Sequence, residues 1–245
     1  MTALPRVLNK CPLVDALIEL RFAPSPSINR NVVFALIYAQ IKDLFDGPVV
    51  NLPLSQIPEQ VRSTDPNLRF KPLYRIEGKS AILQVGTDVI CISSKIPYIG
   101  WEQLSGLAID VIRRIEKTGV LYKVLRLGHR YVNFFSNDIL EDLSIHLDSI
   151  DGYSTLGKQF RIDLKEGEYN NAVQVSNTAR YRPSIESPEQ SGSLIDIDTS
   201  REYSNGFVFL DNITGELNNA HSSEKKLFYS LLGAGLLESL DPVYE

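Results

Sequence analysis

VLYKVLRLGHRYVNFF, residues 120–135, is the longest β-favouring run in the chain, and its reading decides the fold. Val120, Tyr122, Val124, Val132, Phe134 and Phe135 are β-branched or aromatic, the side chains that suit a pleated, partly buried surface. Gly119 precedes the run, and Ser136-Asn137-Asp138 after it reads as a helix N-cap. What lies on either side of this strand follows one plan: strand, helix, three strands, helix.

Upstream, residues 12–22 alternate strictly. Val14, Ala16, Ile18, Leu20 and Phe22 take one face, and Asp15, Glu19 and Arg21 lie on the other, as in a half-buried strand. Residues 28–45 turn helical, with Val33, Ile37, Ile41, Leu44 and Phe45 at helical spacing, and Gly47-Pro48 ends the run. Residues 47–67 hold four prolines without periodicity and read as a long surface connection. Three short strands are expected at 68–77, 80–86 and 88–93, then a helix over 100–117 whose apolar stripe includes Leu104, Ala108, Val111 and Ile115.

Downstream, Ile139, Leu143 and Leu147 predict a helix over 137–147. Strands are expected at 158–164, 171–177 and 193–200, and a last helix over 213–238 that Gly233 and Gly235 weaken. Phe70, Glu77-Gly78 and Gln84-Val85 echo as Phe160, Glu166-Gly167 and Gln174-Val175. The expected fold is α+β. Two tandem β-α-β-β-β-α units, about 12–119 and 120–240, form one curved antiparallel sheet with helices on one face, within a single compact domain over 1–245.

Composition narrows the function. At 245 residues with 43% hydrophobic and 22% charged side chains, the chain has ordinary globular make-up. A net charge of -5 argues against non-specific nucleic-acid binding, which relies on cations to displace phosphate counterions. No apolar run approaches a membrane span and no signal-peptide pattern opens the chain, so a cytoplasmic protein with no membrane contact is expected. Cys11 and Cys91 have neither metal nor redox spacing, and Cys91, in an apolar strand, reads as a buried inert thiol.

PLVDALIELRF (residues 12–22), ILQVG (82–86), YIGWE (98–102) and HRYVN (129–133), in this order, resemble a sporadically distributed family of uncharacterised prokaryotic proteins. The similarity runs over essentially the whole length. It implies a soluble prokaryotic protein and carries no reaction, ligand or catalytic residue.

Nucleophile-elbow, zincin, phosphate-loop and dinucleotide signatures are absent from the sequence. Asp196 and Asp198 share one face of a strand, a weak candidate for Mg²⁺ and nucleotide chemistry. Gly192-Ser193, however, precedes them too closely for a helical phosphate-binding turn to intervene. His129, His146 and His221 share no ligand spacing, and His221 reads as a hydrogen-bonded surface residue. Glu19, Arg21, Trp101, His129 and Arg130 are the ligand-binding candidates. Their other reading is structural: a Glu19–Arg130 ion pair between strands and Trp101 packed between helix and sheet.

The favoured function is a non-catalytic binding or protein-interaction module without a cofactor, with a protein partner or homodimer expected and a small-molecule ligand allowed. The partner would meet a gap between sheet and helices or the 47–67 connection. The alternatives are a sensor or enzyme for an anionic small molecule in the same gap, and metal-dependent nucleotide chemistry at Asp196 and Asp198.

Overall fold

A computed structural model describes residues 4–148, 150–184, 186–206 and 208–244. In chain order the elements are β1 (Val7–Leu8), β2 (Leu13–Ala23), α1 (Val33–Ile41), β3 (Val50–Asn51), α2 (Glu59–Thr64), α3 (Pro66–Arg69), β4 (Tyr74–Glu77), β5 (Ala81–Val85) and β6 (Val89–Ser94). They continue with α4 (Trp101–Glu116), β7 (Lys123–Phe135), β8 (Gln159–Glu166), β9 (Tyr169–Tyr181), β10 (Gln190–Glu202), α5 (Val208–Asp211), α6 (Ile213–Leu231), α7 (Ala234–Ser239) and β11 (Pro242–Val243). Nine strands hydrogen-bond in the order β3-β4-β5-β6-β2-β7-β10-β9-β8, and β1 pairs with β11 separately. The fold is therefore α+β around a large antiparallel sheet. No helix among the described residues is long and apolar enough to cross a membrane.

By contact density the chain divides into two compact units, residues 1–15, 130–199 and 221–245 in one, 16–129 and 200–220 in the other. In the second unit, β2 pairs antiparallel with β6 so that Ile18 faces Ile92 and Leu20 faces Ile90. These four and Phe22 are at most 2% exposed. The α1 stripe (Val33, Ile37, Ile41) and the α4 stripe (Leu104, Ala108, Val111, Ile112, Ile115) are fully buried, as their spacing requires. Arg114 ties the two helices by donating to Asp43, Asp110 and the Gln40 carbonyl.

The 47–67 connection carries more structure than its prolines predict. Proline suits the first helical turn, where its missing N–H has no intrahelical partner to lose. Pro66 sits there in α3, with Asp65 capping the Asn67 N–H at 2.8 Å, and α2 begins directly after Pro58.

The first unit centres on Val173 and Val175 of β9, Ile195 and Ile197 of β10, and Phe228 and Leu231 of α6. The helix expected over 137–147 is instead a single 3-10 turn at Leu140–Asp142. Ser193 Oγ accepts from Ile139 N–H at 3.1 Å and Asp138 accepts from Leu140 N–H at 3.0 Å, bonds that a helix start also allows. The helix fails one turn later, where Ser144 N–H turns away from the Leu140 carbonyl. Ser144 N–H then donates to the Leu231 carbonyl, and Leu143 bridges Leu232. Ile139 and Leu143 are nonetheless buried, so their spacing identified core positions without identifying a helix.

The last helix divides at Gly233. Its N–H donates to the Asp142 carbonyl at 2.8 Å, and a Cβ at this position would stand 2.5 Å from the same oxygen. Such a close backbone approach admits only glycine.

Ser193 is fully buried and also donates to the Asn137 carbonyl at 2.9 Å. Ser193→Ala leaves the buried Ile139 N–H without its partner, at a cost of about 1–3 kcal/mol. In urea denaturation the midpoint falls at an unchanged slope; an unchanged midpoint would contradict this role for Ser193.

Candidate functional site

Alternation along β2 sends Ile18, Leu20 and Phe22 inward and leaves Glu19 and Arg21 on the opposite face. Glu19 accepts from Arg21 Nε at 2.7 Å and from Arg126 Nη1 at 2.6 Å, and Arg126 also approaches Glu202 at 3.5 Å. Gly128 makes room for this pairing, because a Cβ there would lie 2.5 Å from Arg126 Nη1. The Arg21 guanidinium rests over the Phe70 ring, 5.0 Å from its centroid.

Trp101 opens α4 and donates its indole N–H to Asn218 at 2.9 Å, meeting the need of a large amphipathic ring. Its ring stands edge-on to His129, 5.1 Å between centroids, and His129 is 1% exposed. Further charge in this unit is also matched. Arg201 pairs with Glu216, which accepts from Tyr203 Oη as well, and buried Asp88 accepts from Arg30 and Arg69. Glu59 of α2 meets the other side of Arg30 at 3.1 Å. Asp88 was not singled out from the sequence, since Arg30 and Arg69 are remote from it along the chain.

In the first unit, Arg130 pairs bidentately with Asp196 at 2.8 and 2.6 Å, and the carboxylate raises the arginine's pKa. In place of the expected Glu19–Arg130 pair, Glu19 meets Arg21 and Arg126, and Arg130 meets Asp196. Asp196 commits both oxygens to a guanidinium, so a cation at Asp196 and Asp198 would have to displace Arg130. Of the five ligand-binding candidates, Glu19 and Arg21 touch each other, Trp101 and His129 touch each other, and Arg130 belongs with Asp196.

Two features of the first unit emerge only in three dimensions. On α6, His221 and Glu224 are three residues apart and share a helical face, with their ligating atoms within 4.8 Å. Tyr131 Oη lies 3.4 Å from His221 Nδ1. Glu224 is 1% exposed, and its Oε1 has no hydrogen-bond partner among the described residues. Burial pushes its carboxyl up to about 8 and holds His221 down at about 4, with Lys225 adding to the latter. At neutral pH the pair is a protonated acid beside an uncharged imidazole: a buried proton donor next to a half-buried proton acceptor. A nitrogen and a carboxylate oxygen also make two of the four ligands of a closed zinc site. The H-x-x-E spacing is the signal that would have found this pair.

The second feature is a cleft of about 430 Å³, within the range of small-molecule sites. Three segments far apart in sequence form it. Lys10, Cys11 and Pro12 come from the N-terminal segment, Phe134 to Asn137 from the end of β7, and Leu236, Ser239 and Leu240 from α7 and beyond, with Asp142 and Gly235 completing the lining. Backbone bonds hold the walls, Lys10 N–H to the Leu240 carbonyl at 3.1 Å and Phe134 N–H to the Pro12 carbonyl at 2.9 Å. The Lys10 ammonium and the Asp142 carboxylate have no ion-pair partner among the described residues. No short motif could have disclosed the cleft. Burial also raises the Tyr229 phenol, to about 12. No family model matches the chain, and no curated protein does.

Buried Glu224 and half-buried His221 act on stability in opposite directions. His221 stays neutral in the folded state down to about pH 4 whereas the unfolded imidazole takes its proton near 6.5, so stability rises with pH between those values. Glu224 keeps its proton up to about pH 8 when folded but loses it near 4.5 when unfolded, so stability falls across that interval. Between pH 6.5 and 8 the Glu224 effect acts without the opposing histidine. Urea-derived stability therefore declines from pH 6.5 to 8 in the wild type and is flattened over this range in Glu224→Gln. An equal decline in the variant would remove Glu224 as the cause.

Proposed function

We propose that this protein is a non-catalytic binding module whose cleft takes a small zwitterionic molecule with an apolar portion. The observation that carries this reading is the contrast in charge. Glu19, Arg126, Arg130 and Asp196 on the sheet are consumed in ion pairs, whereas Lys10 and Asp142, neither ion-paired among the described residues, offer one charge of each sign to a preformed cleft. Phe134, Phe135, Leu236 and Leu240 supply apolar wall, and Ser136, Asn137 and Ser239 supply neutral hydrogen-bonding groups. A ligand bearing both an ammonium and a carboxylate satisfies both ends, and its apolar part covers the aromatic floor.

The resemblance to a prokaryotic family supports placing this activity in a prokaryotic cytoplasm. The element order also supports a repeated plan, β2-α1 to α4 followed by β7 to α6, in which the second copy keeps a 3-10 turn where the first has a helix.

Free apolar L-amino acids, tested individually at millimolar concentration by thermal shift, probe the cleft. The expected result is a rise in Tm of about 2 °C or more with at least one of leucine, phenylalanine or methionine. The rise disappears in both Lys10→Glu and Asp142→Lys. No shift with any of the three, or a shift that survives both substitutions, overturns the reading.

A further inference from the structure

Strand β8 ends the nine-strand order and pairs with β9 alone, in the register Phe160–Val175, Ile162–Val173 and Leu164–Asn171. The Asn177 N–H donates to the Lys158 carbonyl, so the even-numbered residues of β8 face β9 with their backbone groups. The two-residue turn at Gly167-Glu168, with Gly167 at φ 56, agrees with Glu166–Tyr169 as the last such pair. Gln159, Arg161, Asp163 and Lys165 therefore aim their N–H and C=O groups out of the sheet edge, where no strand among the described residues meets them. An edge of this length is a template for another strand.

We propose that the partner is a second copy of the same strand, paired antiparallel about a two-fold axis through Ile162. The sequence Lys158-Gln-Phe-Arg-Ile-Asp-Leu-Lys-Glu166 is complementary to itself in that register. Arg161 faces the partner's Asp163, Phe160 faces the partner's Leu164, and Gln159 faces the partner's Lys165. The two-fold repeats each pairing. Opposite charges and apolar pairs stabilise cross-strand neighbours, and no two like charges meet here. A shift of two residues that keeps the outward groups paired sets Arg161 against Lys165 and loses this match.

The outward groups alternate as an antiparallel ladder requires, with Arg161 and Asp163 exchanging both backbone bonds across the axis. Arg161 and Asp163 already bond to each other within one chain at 2.8 Å while remaining 54% and 69% exposed, so both are in place for a partner. Leu164 is 41% exposed on the face that its partner's Phe160 would cover. Ahead of the strand, Ile150, Tyr153 and Leu156 are 72%, 78% and 97% exposed. Lys158 Nζ holds the start of this stretch by donating to the Leu147 carbonyl at 2.7 Å.

Sedimentation of the full chain from 1 to 100 μM tests the assembly, with circular dichroism confirming that each variant folds. The wild type is expected to sediment as a dimer. Asp163→Arg places two arginine pairs across the axis and weakens association at least about tenfold. The exchanged variant, Arg161→Asp with Asp163→Arg, restores the dimer because the reversed pattern is again self-complementary. Amide exchange at Arg161, Asp163 and Lys165 slows as concentration rises. A monomeric wild type across the range, a dimer unaffected by Asp163→Arg, or an exchanged variant that stays monomeric while folded overturns the proposal. The amino-acid thermal shift at the cleft reads out independently of all three.

Discussion

Along a β-strand each residue can point to only one face, and charge placed on a buried sheet must find its opposite nearby. In this protein the two rules act together on β2, β7 and β10. Ile195 and Ile197 enter the core of their unit, which obliges Asp196 to the opposite face, where Arg130 meets it. Ile18 and Leu20 are likewise buried, and Glu19 between them turns to Arg21 and Arg126. Along β7, Arg126, Gly128 and Arg130 share one side while His129, Tyr131 and Phe135 share the other. The glycine is the spacer that lets a guanidinium lie flat beside Glu19. Loss of one member of such a pair leaves the other charge partly buried without compensation, a larger penalty than the loss of a surface bridge.

Asp88 shows the rule at its strongest: a carboxylate 1% exposed, met by Arg30 and Arg69, with Glu59 behind Arg30. Around it the proline-bearing connection folds into short helices that deliver Glu59 and Arg69. Lys10 and Asp142, which line the aromatic-walled cleft and have no ion-pair partner among the described residues, keep their charges available to a ligand.

Helix α6 has two roles. Phe228 and Leu231 pack into the core of the first unit, while Glu224 is buried and His221, one turn before it, is half-buried. A carboxyl that holds its proton at neutral pH donates a hydrogen bond without carrying charge, so it can be buried at smaller cost than a carboxylate. On its exposed side the same helix anchors the end of β8, where Ser223 and Lys226 both donate to Glu166. The position of that edge strand is therefore tied to the helix that closes the core.

Local pattern was sufficient wherever a segment buried one face. The alternation over 12–22, the helical stripe of α4 and the β-rich run at 120–135 appear close to their expected bounds, because burial on one side imposes a countable period. The α1 stripe is buried as spaced, although its helix, Val33–Ile41, is half the expected 28–45. Residues 137–147 show where this stops: Ile139 and Leu143 are core residues at helical spacing, yet the Ser144 N–H that a helix would bond to Leu140 donates instead to the Leu231 carbonyl, more than eighty residues away. The ion-pair partners, the proton state of Glu224 and the cleft between Lys10 and Asp142 were likewise beyond sequence. Each depends on which distant groups share a low-dielectric space, and only the folded chain determines that neighbourhood.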